Sequence, residues 1–177
     1  MLNPQIPETT RRSAEKVLQT QRVAIFIVTY NAARHIEQTI DRIPNWIRAK
    51  LAEIFVIDDN SSDDTFTILQ ALPAEKKHNL SVFATPSNQG YGGNQKLGYT
   101  YAMEQGHDIV ILLHGDGQYA PEYLPFIIAE YDAPEIDAVY GSRFLGNPLK
   151  GSRGGRGMPL YKWLGNRMLT AFSNIVI

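Results

Sequence analysis

The sequence predicts an α/β domain with a mostly parallel, doubly wound sheet and flanking helices. Val23–Val28, Ile54–Ile57 and Ile109–Leu113 are unbroken apolar runs, rich in β-branched residues, as expected of strands buried on both faces. Segments of helical periodicity separate them, which is the alternation that builds parallel sheets. Each run stops on a polar cluster: Thr29-Tyr30-Asn31, Asp58-Asp59-Asn60 and His114-Gly115-Asp116. In such sheets ligands bind beyond the C-terminal ends of the strands, so three polar clusters at strand ends point to one site.

The elements follow in order. Residues 1–21 read as a polar leader with a short helix near Ser13 to Gln19. The first strand is Val23–Val28. Ala32 to Arg48 shows helical spacing through Ile36, Ile40, Ile43 and Ile47, and Pro44 should kink or end that helix. Ile54–Ile57 is the second strand, stopped by Asp58 to Asp64. Ser62 or Asp63 is placed to cap a helix running to about Leu72. Leu80–Ala84 is a third strand. Asn88 to Gly93 reads as a glycine-rich loop leading into a helix from Asn94 to Gln105. Ile109–Leu113 is the fourth strand, Pro121–Tyr131 a helix with proline in its first turn, and Ile136–Tyr140 a short fifth strand. Gly146–Gly157 is a glycine- and arginine-rich loop, and Pro159–Ile177 an amphipathic helix. The sequence stops at Asn174-Ile175-Val176-Ile177 within an apolar pattern, which predicts a fragment truncated at its C-terminus.

Composition narrows the classes. The length of 177 residues suits one domain with a proper core. There is no cysteine, which removes disulfides and thiolate metal sites. No apolar run reaches the roughly 18–20 residues of a membrane span, and the N-terminus lacks a signal-peptide core. The net charge of −1 conceals an asymmetry. Up to Asp137 the chain has 11 basic and 18 acidic residues; beyond it there are six basic residues and no acidic one. A basic segment on an acidic domain suggests an anionic partner, either phosphate groups or an anionic membrane surface. No fold motif for nucleic acid accompanies it, so nucleic-acid binding is not expected.

The strand ends exclude two nucleotide-binding classes. A dinucleotide site needs G-x-G-x-x-G in the first strand-to-helix turn, but Thr29 to Arg34 contains no glycine. The P-loop pattern is absent as well. What remains is a nucleotide-sugar site, where carboxylates read base and ribose and a metal bridges the diphosphate.

The motifs VAIFIVTYNAARHI, EIFVIDDNSSDDT, NQGYGGNQKLGY, DIVILLHGDGQYAPEYLP and VYGSRF occur in this order. Together they resemble a family 2 glycosyltransferase of the GT-A (nucleotide-diphospho-sugar transferase) fold, most of all the polyprenyl- or dolichyl-phosphate sugar transferases. The resemblance spans about Val23 to Asn174 and assigns residues 22–177 to the transferase domain.

Carried over by position, the resemblance implies a set of roles. Thr29, Tyr30 and Asn31 line the nucleoside pocket, and Asp58 and Asp59 accept hydrogen bonds from the base, a task suited to acceptor-only carboxylates. Gly92, Gly93 and Asn94 let the backbone approach the nucleotide. Asp116 and Gln118 lie by a Mg²⁺ or Mn²⁺ ion that neutralises the diphosphate. His114 stands where the family has its first metal-binding aspartate, which makes it a candidate ligand with a preference for softer ions. Arg143 meets the acceptor phosphate and, with Asp116, is expected to be catalytic. Lys162 and Arg167 form the rest of the acceptor-phosphate site.

The implied reaction is inverting transfer of a sugar from a nucleotide-diphosphate donor to an acceptor, with polyprenyl phosphate favoured. A lipid phosphate is already anionic and needs no strong base, so the acid-free tail points either to such an acceptor or to a base lost with a missing C-terminal segment. Two alternatives stay open. One is a family 2 transferase extending a cell-surface glycan on a sugar hydroxyl. The other is a catalytically weak module that binds nucleotide sugar or lipid phosphate. The expected location is cytoplasmic, at the inner face of the cytoplasmic membrane, with peripheral contact through the basic tail.

Overall fold

The computed structural model describes residues 4–141. The chain divides into two compact units, Met1–Asp137 and Ala138–Ile177. The first carries the sheet; of the second, only residues 138–141 are among those described.

Four strands form one parallel sheet: β1 (Val23–Thr29), β2 (Glu53–Asp58), β3 (Leu80–Ala84) and β4 (Ile109–His114). Their order is β3-β2-β1-β4. Ile25 pairs with Ile54 on one side and with Ile111 on the other, so β1 is central. All seven of its residues are buried, the physical reason for its unbroken apolar run.

Residues of alternate parity feed two cores, as the period of a strand requires. Ile25, Ile27, Ile54, Val56, Ile111 and Leu113 pack on one face. Helices α1 (Glu8–Thr20), α2 (Ile36–Asp41), α3 (Asn45–Arg48), α4 (Thr65–Ala71) and α6 (Leu124–Glu130) supply the facing residues, among them Val17, Ile36, Ile40, Ile47, Leu69, Leu124 and Ile128. On the other face Ala24, Phe26, Val28, Phe55 and Ile57 meet Ala102 of α5 (Gly90–Glu104). Phe26 and Phe55 stack there with centroids 4.9 Å apart. Asn94, Gly98 and Ala102 are the buried stripe of α5. A Cβ on Gly98 would stand 2.1 Å from the Phe26 ring, so only glycine admits the helix this close.

Several expected elements shift. The segment read as a polar leader carries α1, whose Ala14, Val17 and Leu18 are buried in the first core. Pro44 does divide the Ala32–Arg48 segment, and α2 and α3 lie on either side of it. The glycine-rich loop is instead the first turn of α5. The Asn88 side chain accepts a hydrogen bond from Gly90 N at 2.9 Å and starts the helix four residues earlier than expected. Packing of the small-residue stripe outweighs a helix cost of about 1 kcal/mol per glycine. Pro121–Tyr131 divides into a 3₁₀ turn, Pro121–Tyr123, and α6. Ile136–Tyr140 is not a strand: a strand requires a paired neighbour, and among the described residues this segment has none. No helix among the described residues is long and apolar enough to cross a membrane.

Candidate functional site

Beyond β1 the chain passes to the face bearing α2, while the helix following β3 covers the opposite face. With β1 between β2 and β4, the crevice at their C-terminal ends lies where strand order reverses. The backbone continues the ladder past the strands. Asp59 N donates to Thr29 O, Thr85 N to Asp58 O and Gly115 N to Val28 O, each at 2.9 Å. Asn31 and Asn60 then turn with φ of 50° and 57°, the left-handed region that asparagine tolerates.

A cavity of about 330 Å³ opens at this point, lined by Thr29, Tyr30, Asp59, Asn94, His114 and Asp116, with Asn88, Gly90, Tyr91 and Gly115 beside them. That volume lies within the range of small-molecule sites. The structure thus joins residues from all three predicted strand-end clusters and from α5.

Each lining group is held differently. Asp59 is 3% exposed, and its Oδ1 accepts from Thr85 Oγ1 at 3.0 Å and Gln89 N at 2.8 Å. Asn94 Nδ2 donates to Ile57 O at 3.0 Å, while its buried Oδ1 has no partner among the described residues. The Thr29 hydroxyl is likewise buried with no partner among the described residues. Asp116 is exposed, and its Oδ1 accepts from Gln118 N at 3.0 Å. His114 Nε2 and the Tyr91 hydroxyl are hydrogen-bonded at 2.9 Å. Burial pushes the Tyr91 hydroxyl above its ordinary pKa of 10.0, helped by neighbouring Tyr119 and opposed by a hydrogen bond from Gln95. It is therefore protonated at neutral pH.

The loop carrying Asp116 is braced from α2. Thr39 Oγ1 donates to Gly115 O at 3.2 Å, and Arg42 Nη1 donates to Gly117 O at 3.2 Å. Gly117 has φ of 69°, and a Cβ there would stand 2.9 Å from both Arg42 and Thr39. A Cβ on Gly115 would meet Thr29 Oγ1 at 2.4 Å. Both glycines permit the tight seating of this loop.

Other expected residues lie elsewhere. Asn31 and Asp58 do not line the cavity. Asp58 accepts from Ser61 N at 2.9 Å and from the Ser61 hydroxyl. Asn31 Oδ1 accepts from Ser62 N at 2.9 Å, and Asn31 N donates to Ser61 Oγ at 2.8 Å. Asp63 accepts from Ala33 N and Thr65 N. These bonds clasp the loops after β1 and β2 together. Burial raises the Asp63 pKa, but the hydrogen bonds from Thr65 and Ala33 prevail and leave it below its ordinary value of 3.8. Gly92 and Gly93 sit in the first turn of α5, and Gln118 is exposed beside Asp116; none of the three lines the cavity. Arg143, Lys162 and Arg167 lie outside the described residues.

Tyr91 and Asn88 are cavity residues that sequence reasoning did not single out, and their only signal was membership of the glycine-rich motif. Thr39 and Arg42 gave none.

Among the described residues no three His, Cys, Asp or Glu side chains converge as a metal cluster. Asp116 offers one exposed carboxylate at the cavity. That suits Mg²⁺ or Mn²⁺ arriving with a diphosphate, since such an ion takes one or two carboxylates and fills its shell with phosphate oxygens and water.

Residues 24–173 match the model of the family described as Glycosyl transferase family 2. Similar proteins include a polyprenol monophosphomannose synthase from Mycolicibacterium smegmatis, 27% identical over 73% of this chain and 48% of that protein. An undecaprenyl-phosphate mannosyltransferase from Micrococcus luteus is 29% identical over 69% of this chain and 48% of that protein. A dolichol-phosphate mannosyltransferase from Pyrococcus furiosus is 29% identical over 70% of this chain and 34% of that protein. The chain thus spans about half the length, or less, of these relatives. Among solved structures, S. aureus TarS 1-349 in complex with UDP is similar at 21% identity and a TM-score of 0.42, over 54% of this chain and 27% of that one.

Proposed function

The chain belongs to glycosyl transferase family 2, and we propose that it binds a nucleotide-diphosphate sugar and transfers the sugar, with inversion, to a polyprenyl phosphate. One observation carries this reading. Two carboxylates from different strand ends, buried Asp59 and exposed Asp116, line one cavity at the switch point of a parallel sheet. Their environments suit different tasks. Asp59, fixed by Thr85 and Gln89, is a rigid acceptor for the N–H groups of a base. Asp116, open to solvent, suits the diphosphate end.

In this proposal Thr29 and Asn94 supply the polar wall of the nucleoside pocket, and Tyr30 lies against the nucleoside. Asp116, with Gln118 beside it, would hold Mg²⁺ or Mn²⁺, which would supply charge neutralisation of the leaving nucleotide. Arg143, Lys162 and Arg167 are assigned to the acceptor phosphate, where the two guanidinium groups grip oxygen pairs and the lysine adds a single charge. An anionic acceptor oxygen attacks the anomeric carbon opposite the diphosphate, so the chain need only position and shield charge. The names of the similar proteins support a lipid-phosphate acceptor. An acceptor of that kind places the reaction at the inner face of the cytoplasmic membrane, with the basic tail against it.

The test is product formation from labelled UDP- and GDP-sugars with undecaprenyl phosphate, with and without Mn²⁺. Asp116→Asn should lower metal-stimulated turnover at least a hundredfold, and Asp59→Asn should weaken nucleotide binding at least tenfold. Transfer only to sugar hydroxyls would overturn the lipid acceptor. Tight nucleotide binding without turnover in the full-length natural protein would overturn catalysis.

A further inference from the structure

The two oxygens of the buried Asp59 carboxylate have different surroundings. Oδ1 accepts twice, from Thr85 Oγ1 at 3.0 Å and from Gln89 N at 2.8 Å. The Thr85 hydroxyl has a single proton and a second acceptor within reach, Asp58 O at 3.4 Å. The shorter bond, to the charged oxygen, takes that proton, and Asp58 O already accepts from Thr85 N at 2.9 Å. Both donors belong to the loop between β3 and α5, which is itself pinned. Gln89 Nε2 donates back to Ser87 O at 2.8 Å, and Gly90 N donates to Asn88 Oδ1.

Asp59 Oδ2 accepts no hydrogen bond among the described residues. It is also not one of the buried side-chain atoms without a partner, which are Thr29 Oγ1, Asn94 Oδ1 and His107 Nδ1. Asp59 is buried and lines the cavity, so the surface that Oδ2 keeps is cavity surface. A carboxylate has about four lone-pair sites, shared equally by its oxygens. Thr85 and Gln89 fill those of Oδ1, and one oxygen remains for a ligand.

Nucleobases differ in the adjacent N–H groups they present. Guanine presents two, N1–H and N2–H, spaced to match both oxygens of a free carboxylate. Uracil presents N3–H alone, between two carbonyls. At a carboxylate with one oxygen left, guanine keeps a donor without its matching acceptor, which a site closed to water rejects. Uracil leaves no such donor.

We propose that Thr85 is a positioning residue: by occupying Asp59 Oδ1 it leaves the base a single acceptor, and the cavity takes uracil in preference to guanine. This names the nucleotide of the donor and rests on the nucleotide-sugar reading given above.

The full chain is titrated calorimetrically with UDP, GDP and IDP under one set of conditions. Inosine keeps the N1–H of guanosine and lacks its 2-amino group. UDP should bind at least tenfold more tightly than GDP, and IDP at least as tightly as GDP. GDP bound as tightly as UDP, or more tightly than IDP, overturns the proposal and leaves the nucleotide-sugar reading standing. Binding of none of the three overturns that reading, and this proposal with it. Thr85→Val frees a lone-pair site on Oδ1 with little change of shape, and should move the ratio of UDP to GDP affinity at least fivefold towards GDP. Thr85→Ser, which keeps the hydroxyl, should hold the wild-type ratio. Equal weakening of both nucleotides in Thr85→Val would be a merely structural effect and overturns the role of Thr85. If that variant does not fold, the wild-type order of the three nucleotides and the Thr85→Ser ratio decide.

Discussion

Arg42 and Glu122 meet in a two-pronged ion pair behind the loop that carries Asp116. Arg42 Nε lies 2.7 Å from Glu122 Oε1 and Nη2 lies 2.9 Å from Oε2, while Nη1 reaches Gly117 O. A guanidinium fork matches a carboxylate in this way and a lysine does not. The pair ties the C-terminal end of α2 to the 3₁₀ turn before α6 and braces the loop that follows β4, so the position of Asp116 depends on two residues that do not line the cavity.

Glu122→Gln should therefore cost stability and turnover together. The two side chains are 21% and 13% exposed, so the loss should fall somewhat below the 3–5 kcal/mol of a fully buried pair, at about 2 kcal/mol. Arg42 holds the Glu122 carboxyl below its ordinary value of 4.5, burial opposing. A depressed pKa contributes stability above the unfolded value, lost as pH falls through the folded one. Urea denaturation at neutral and acidic pH should show a wild-type advantage over Glu122→Gln that disappears as pH drops below 4.5.

Gly115→Ala should damage the site directly. The new Cβ would lie 2.4 Å from Thr29 Oγ1 and 2.7 Å from Thr29 Cβ, and both groups are fixed by strands. Overpacking of this kind costs about 1–3 kcal/mol. Calorimetric titration with UDP and GDP should show affinity for the preferred nucleotide reduced at least tenfold.

Gly98→Ala tests the seating of α5 on the sheet. Its Cβ would lie 2.1–2.6 Å from three atoms of the Phe26 ring, which is itself stacked on Phe55. The gain of about 1 kcal/mol in helix propensity should be outweighed. A lower melting temperature is expected, with nucleotide binding weakened because Asn94 and Tyr91 ride on the same helix.

At the opposite end of the sheet, Tyr101 donates to Glu53 Oε1 at 2.8 Å, and the His107 ring is 2.9 Å from Oε2. Burial, with the Glu53 hydrogen bond and charge, pushes the Tyr101 pKa up to about 12. A raised pKa contributes stability that is complete below the unfolded value of 10.0 and lost as pH rises towards 12. Ultraviolet titration should find a tyrosine ionising near that upper value, and Glu53→Gln should bring it down.

The sequence carried the sheet and the location of the site. Apolar runs rich in β-branched residues and ending in polar clusters predict buried parallel strands whose ends face one crevice, and the meeting of Thr29, Asp59 and Asp116 at one cavity was legible for that reason. The glycines of Gly90-Tyr91-Gly92-Gly93 misdirected the reading, because local propensity argues for a loop. A helix forms there because Asn94, Gly98 and Ala102 pack against the sheet, a contact that propensity does not contain.

What the sequence by itself determined is the order of strands and helices and the family that order belongs to, because hydrophobic periodicity and motif spacing are local properties of the chain. Only the tertiary structure decided between neighbours of the same chemistry. Asp58 and Asp59 are adjacent carboxylates, yet one is spent on Ser61 and the other faces the cavity. Arg42 and Glu122, or Tyr91 and His114, become partners only when a fold brings distant residues within hydrogen-bond reach. Side-chain direction and long-range pairing are set by packing, and no local pattern encodes them.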